Sequence, residues 1–245
     1  MSTDNSNVFK KDSLDLYLKE LAKEYKKLAG KGMPAEIILI GGAAIIESYG
    51  FRDMTTDVDA IITASSVMKD AINHVGDRYG LPIGWLNADF RKTDSYSDQL
   101  LLFSKFYKTF SQVLNVRIVT GEYLIAMKLR AFRQYKNDLS DIVGILAEHK
   151  NRGDALTLER IDRAVTELYS SWEGFPIGAK EFIEDAISGE GYDRIYDLVR
   201  KNEIDAREQL VEFQDSYPGQ LKAENIDSIL QNLRNRKSGE DTKEP

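Results

Sequence analysis

The chain contains no cysteine, which excludes disulfides, thiolate nucleophiles and cysteine-based zinc sites, and fits a reducing compartment. It has only two histidines, His74 and His149, and they stand far apart without metal-ligand spacing, so each reads as a packing or surface residue. Prolines number five, too few to break up a helical texture. No stretch approaches the roughly 18 uninterrupted apolar residues of a membrane span, and the first residues lack an apolar signal-peptide core. The expectation is a soluble, cytoplasmic protein. Positive charge is also in deficit: 33 Lys and Arg against 40 Asp and Glu leave a net charge of −7. That balance argues against a surface that coats nucleic acid all over, while allowing a local basic groove.

What is present is an ordinary globular composition, 42% hydrophobic and 30% charged, in 245 residues. Residues 1–11 read as a polar lead-in. Ser13 is expected to cap a helix with Leu14, Leu16, Leu18, Leu21 and Tyr25 on its apolar face, ending near Gly30. The short branched run Ile37 to Ile40 predicts a buried strand that leads directly into Gly41-Gly42 and a helix. A second strand follows around Val58, Ala60, Ile61 and Ile62, and then a helix from Ser66 to Tyr79. The segment LPIGWLNADF reads as a loop or irregular extended stretch, followed by extended runs over Leu100 to Phe106 and Val113 to Val119. Helices are expected from Gly121 to about Tyr135 and from Leu139 to His149.

Beyond Gly153 the texture becomes helical, with segments at Leu158 to Ser170, Gly178 to Ile187, Tyr192 to Arg200, Ile204 to Tyr217 and Ala223 to Leu233. The implied organisation is an α+β unit over 1–150, a helical region over 151–234 and a disordered charged tail over 235–245. Trp85, Tyr79 and Phe90 read first as packing residues and second as platforms for a base. Tyr192, Tyr196 and Phe213 read as interior or interface residues.

Asp57 and Asp59 carry the chemistry. Two apart on a strand, they leave the same face about 7 Å apart along the chain, at roughly 3.3 Å per residue. Converging carboxylates in a sheet of Ile and Val repel one another unless a cation neutralises them, and Mg²⁺ suits one or two carboxylates plus substrate phosphates. A lone D-x-D could equally be a solvated strand face. Here it follows a glycine pair at a strand end, where free backbone N–H groups and the helix dipole can hold a phosphate. A phosphate cradle beside a metal site is a far more specific combination.

The segment LIGGAAIIESYGFRDMTTDVDAII resembles the defining motif of DNA polymerase β-like nucleotidyltransferases: a hydrophobic residue, Gly-Gly, a helix, then Asp-hydrophobic-Asp on the next strand. GLPIGWLNADFRKT and LNVRIVTGEYLIAMKLRAFRQYKNDLSDI are similar to a bacterial group of domains of unknown function related to the AbiEii abortive-infection toxins. The likeness covers about residues 36–148. It implies a small mixed sheet with flanking helices, followed by a helical extension. It further implies that Gly41 and Gly42 contact nucleotide phosphates, that Asp57 and Asp59 bind Mg²⁺, that Arg52 and Thr55 border the site, and that Lys128 meets the triphosphate. Arg133, Lys136, Asp138 and Asp141 match an Arg/Lys-Asp-x-x-Asp segment near the catalytic face. On a continuous helix Lys128, Arg133 and Lys136 would share an arc of about 140°.

Two departures stand out. Fourteen residues separate Gly42 from Asp57, a long interval for the motif. The strand VLNVRIV, where many such enzymes carry a third carboxylate, offers Asn115 and Arg117, which leaves Asp89 as substitute candidate. The resemblance implies transfer of NMP from an NTP to RNA, a tRNA 3′ end in particular, within a toxin-antitoxin or abortive-infection system. Protein AMP transfer and a non-catalytic binding role are the alternatives. The partners implied are the NTP, a tRNA or protein acceptor, and a cognate antitoxin or toxin.

Overall fold

The computed structural model describes residues 8–189 and 191–240. Its centre is a five-stranded mixed sheet in the order β3-β2-β1-β5-β4. The strands are β1 (Ala35–Leu39), β2 (Val58–Thr63), β3 (Leu86–Asn87), β4 (Ser104–Phe110) and β5 (Leu114–Val119). β1 lies in the middle because Ile37, Ile38 and Leu39 are apolar on both faces and fully withdrawn from water. It runs antiparallel to β2, with Leu39 opposite Ala60, and parallel to β5, with Leu39 opposite Ile118. A flanking helical layer and a helical C-terminal region complete the α+β architecture that the sequence implies.

Helix α1 (Lys11–Ala29) buries Leu14, Leu18, Leu21, Ala22 and Tyr25 at helical spacing. Leu16 falls off this stripe and is 44% exposed. Ser13 is not the cap: the helix starts two residues earlier, and the Ser13 hydroxyl reaches back to the Lys10 backbone N–H and carbonyl, both at 2.9 Å. Helix α2 (Gly41–Ser48) follows β1 without a loop, and α3 (Met68–Tyr79) ends on Gly80 in the left-handed conformation.

The segment LPIGWLNADF contains β3 and the start of a 3₁₀ turn over Asp89–Lys92. Trp85 and Phe90 are core residues, the Trp85 indole N–H donating to the Ile72 carbonyl at 3.0 Å. Residues Asp98–Leu101 form a second 3₁₀ turn rather than strand, since the Ser97 hydroxyl accepts from the Gln99 N–H and closes the turn. The strand begins only at Ser104.

The helices after the sheet are α4 (Gly121–Ala131), α5 (Asp138–Asn151), α6 (Leu158–Tyr169), α7 (Ala179–Ser188), α8 (Tyr192–Ser216) and α9 (Ile226–Glu240). α4 stops earlier than expected, with Phe132 in the left-handed region at φ 45°, so Arg133 to Asn137 form a turn. Arg133 and Lys136 therefore do not continue a basic helix face with Lys128.

α8 is one helix of 25 residues where two were expected. The polar stretch between its halves holds neither Gly nor Pro, and its Glu203 turns inward instead of marking a break. The expected charged tail is helical from 235 to 240, since charge without Gly or Pro clusters does not stop a helix; residues 241–245, like residues 1–7 of the lead-in, lie outside the described residues. One apolar core runs from Phe9 to Ala186 and so includes α6 and α7, while a small cluster of Ala206, Leu210 and Leu230 joins α8 to α9. No helix among the described residues is long and apolar enough to cross a membrane.

Candidate active site

Two strand ends and one turn bring the candidate residues together. β1 delivers Gly41 and Gly42 at its C-terminal end, while the antiparallel β2 starts there with Asp59 and the preceding Asp57. Gly41 has φ 55°, a backbone region that suits glycine, and a Cβ built on it would lie 3.8 Å from Asp59 Oδ2. The Asp59 carboxylate thus faces the glycine turn. Gly42 is a glycine for a different reason. A Cβ there would come within 2.3 Å of Thr55 Oγ1 and 3.0 Å of Arg52 Nη2, so Thr55 and Arg52 pack against its bare backbone.

Asp57 is exposed and Asp59 half-buried, and neither forms an ion pair with a protein cation among the described residues. Asp57 Oδ1 accepts a long hydrogen bond from Thr55 Oγ1 at 3.4 Å. Burial, and then the neighbouring Asp57 carboxylate, push the Asp59 carboxyl up to about 6, against the pull of Arg133 and Lys128. A half-buried carboxylate beside an exposed one, neither in an ion pair among the described residues, fits an oxygen-seeking cation such as Mg²⁺.

Immediately beside this pair the charges are closed upon themselves. Lys128, on α4, is 11% exposed, and its Nζ lies 2.8 Å from both Asp138 Oδ1 and Asp141 Oδ2 on the first turn of α5. Arg133 clasps Asp138 through Nε at 2.8 Å and Nη2 at 3.1 Å, and keeps 44% of its side chain exposed. Arg52 Nη1 holds Asp141 at 2.7 Å, and its Nη2 reaches Thr55 Oγ1 at 3.5 Å. Burial alone would raise the Asp138 carboxyl, but Lys128 and Arg133 hold it down at about 2. Burial alone would lower the Lys128 ammonium, but Asp138 and Asp141 raise it on balance.

The network therefore runs from Arg133 through Asp138, Lys128, Asp141, Arg52 and Thr55 to Asp57. Lys128 is placed inside it rather than facing open space, and Lys136 is exposed on the turn.

Asp89 stands further off. It is close enough to add a small upward push on Asp59, yet its side chain is 73% exposed and paired with Lys92 at 2.7 Å. Asn115 accepts from Thr109 Oγ1 at 2.7 Å, and Arg117 donates through Nε to Ser104 Oγ at 2.8 Å. Among the described residues no three acidic or histidine side chains converge as a metal-binding group. The two histidines are engaged elsewhere, His74 with Glu24 at 3.1 Å and His149 with Tyr49 at 3.1 Å and Asp154 at 3.2 Å.

One structural contributor escaped sequence reasoning. Glu203 of α8 is buried and accepts from Leu139 N at 3.0 Å, Ser140 N at 3.1 Å and Ser140 Oγ at 2.6 Å. It caps α5, whose own Asn137 gives no side-chain cap, and so holds the turn bearing Asp138 and Asp141. Burial pushes its carboxyl up to about 7, against the hydrogen bonds from Ser140 and Leu139. The signal was a glutamate at the helical spacing of the buried stripe Val199, Ala206 and Leu210.

Fold and site together define an α+β protein with an acidic pair and a glycine turn at the ends of adjacent strands. The model of a family described as "Nucleotidyltransferase of unknown function (DUF6036)" matches residues 17–167, more than half of the chain, and the protein belongs to that family. No curated protein and no solved structure matches the chain.

Proposed function

We propose that this nucleotidyltransferase moves NMP from an NTP to a hydroxyl at an RNA 3′ end, tRNA being the favoured acceptor, in the manner of the AbiEii-related toxins. The observation that carries this reading is the Asp59 carboxylate turned toward Gly41, with the Asp57 carboxylate as its neighbour and neither acid in an ion pair among the described residues. Asp57 and Asp59 would hold Mg²⁺, which when bound supplies neutralisation of phosphate charge at the reacting group. Gly41 and Gly42 offer backbone N–H groups at the α2 N-terminus to the phosphates. Arg133, 44% exposed and near enough to act on Asp59, would receive the tail of the triphosphate, and Lys136, exposed on the same turn, is the second candidate.

Lys128 takes a different part from the one the motif implies. Its ammonium is shared between Asp138 and Asp141, so it sets the position of α5 and of Arg133, and adds a fixed positive field at Asp59. Asp89 is the candidate to accept the proton of the attacking hydroxyl, which would require its Lys92 pair to open.

The chain's net charge of −7 favours a second reading, AMP transfer to a hydroxyl of a partner protein, including a cognate toxin or antitoxin. Incubating the protein with α-labelled NTPs, Mg²⁺ and either total tRNA or cell extract separates the two. Label in RNA supports the first reading and label in protein the second. Absence of label in both, with all four NTPs, would leave a binding protein with an inactive site.

A further inference from the structure

Helix α8 brings two arginines to the Asn137 turn that precedes α5. Arg207 Nη1 donates to Asn137 Oδ1 at 3.0 Å, and Arg200 Nη1 donates to the same oxygen. One neutral amide oxygen does not balance two guanidinium charges. The nearest carboxylate to Arg200 is Glu203 at 3.8 Å, whose oxygens already accept from Leu139 and Ser140. Arg207 forms no ion pair among the described residues. Burial, then the like charges of Arg200 and Arg52, shift its guanidinium downward.

The pair is contiguous with the acids described above. The Tyr196 hydroxyl of α8 reaches the Phe51 carbonyl at 3.4 Å, beside Arg52. Asp138 and Asp141 are taken up by Lys128, Arg133 and Arg52, whereas Arg200 and Arg207 meet on a neutral amide oxygen, in a chain that is acidic overall. Half-buried guanidinium groups that share a neutral oxygen, with one already engaged carboxylate 3.8 Å from Arg200, cost free energy that an anion would offset. Their planar forks match the oxygens of a phosphate.

We propose that Arg200 and Arg207, bridged by Asn137, form a phosphate subsite beside the candidate active site. The phosphate is either a phosphodiester of the acceptor strand or the triphosphate tail of the nucleotide. The choice of these two sources rests on the nucleotidyl-transfer reading; the meeting of two guanidinium groups on one neutral oxygen does not.

The test uses the full chain without Mg²⁺ and two probes. Inorganic tripolyphosphate is titrated by calorimetry, and a fluorescein-labelled 12-nucleotide single-stranded RNA by anisotropy at low and moderate salt. Arg200→Gln with Arg207→Gln is expected to lose about tenfold or more in affinity for one probe, and for RNA to reduce the salt dependence by about one to two ion equivalents. Loss confined to RNA assigns the subsite to the acceptor, and loss confined to tripolyphosphate assigns it to the nucleotide.

The single variant R207Q, which leaves Arg200 on Asn137, is expected to show a weaker loss in the same direction and serves if the double variant fails to fold. The subsite is refuted if the folded variants bind both probes within twofold of the parent chain, or if the parent binds neither. Neither probe is a substrate for transfer and no Mg²⁺ is present, so binding is read independently of turnover and failure of the enzymatic reading would not be mistaken for failure of the subsite.

Discussion

Asp59 and Asp138 are both aspartates removed from water, yet their carboxyl groups are driven in opposite directions, to about 6 and about 2. Asp138 is the more buried of the two and is nevertheless the more acidic, because Lys128 and Arg133 surround it. Asp59 has Asp57 as its close neighbour and no ion-pair partner among the described residues. Burial therefore does not decide the charge state of an acid; the partners supplied by the fold do. One pair of aspartates is completed by protein cations, and the other has no ion-pair partner among the described residues.

Four variants probe this contrast, beginning with the largest effect. Asp57→Asn with Asp59→Asn should lower nucleotide labelling of the acceptor by roughly 10³-fold or more, the scale of losing metal and electrostatic stabilisation together. The same double variant should keep its urea midpoint or raise it, because it removes a like-charge pair. Full labelling by the variant would end the metal assignment.

Asp138→Ala should act on the opposite property, destabilising the fold by about 3 to 5 kcal/mol by leaving Lys128 and Arg133 without their buried partner. An equilibrium urea unfolding curve measures this, and a loss below about 1 kcal/mol would mean that the network contributes little. Gly42→Ala should cost about 1 to 3 kcal/mol through overpacking against Thr55, which is itself buried. A variant as stable as the parent would show that the Thr55 and Arg52 contact yields easily.

The smallest effect concerns pH. The Glu203 carboxyl is raised in the fold from 4.5 to about 7, so the folded chain binds the proton more tightly than the unfolded chain. That contribution is fully present below pH 4.5 and is lost as pH rises through about 7. Glu203→Gln lacks this titration. The deficit of the variant relative to the parent, read from urea midpoints at pH 5 and pH 8, should narrow toward pH 8. A deficit that stayed constant would show that burial does not raise Glu203.

Much of the site could be read along the chain because its parts are local. The strand, Gly-Gly and helix succession spans a dozen residues, and the alternation of Asp57 and Asp59 is a property of any extended strand. The basic residues of the later segment were misjudged for a local reason. Phe132 leaves the helical conformation, and the arc calculated for a continuous helix has no meaning past Ala131. Glu203, Arg200 and Arg207 were invisible for a non-local one, since more than 60 residues separate them from the Asn137 to Ser140 turn that they contact. The unbroken α8 matters here, because it carries Arg200, Glu203 and Arg207 on a single rigid element.

By itself the order of residues determined most element types of the first half, the burial of β1 and the succession of strand, glycine turn and helix, because hydrophobic periodicity and glycine geometry act over a few residues. Only the tertiary structure decided which acids are neutralised. Pairing of Lys128, Arg133 and Arg52 with Asp138 and Asp141 depends on α4, α5 and the Arg52 segment meeting in space, and Coulomb interaction depends on that distance and not on separation along the chain.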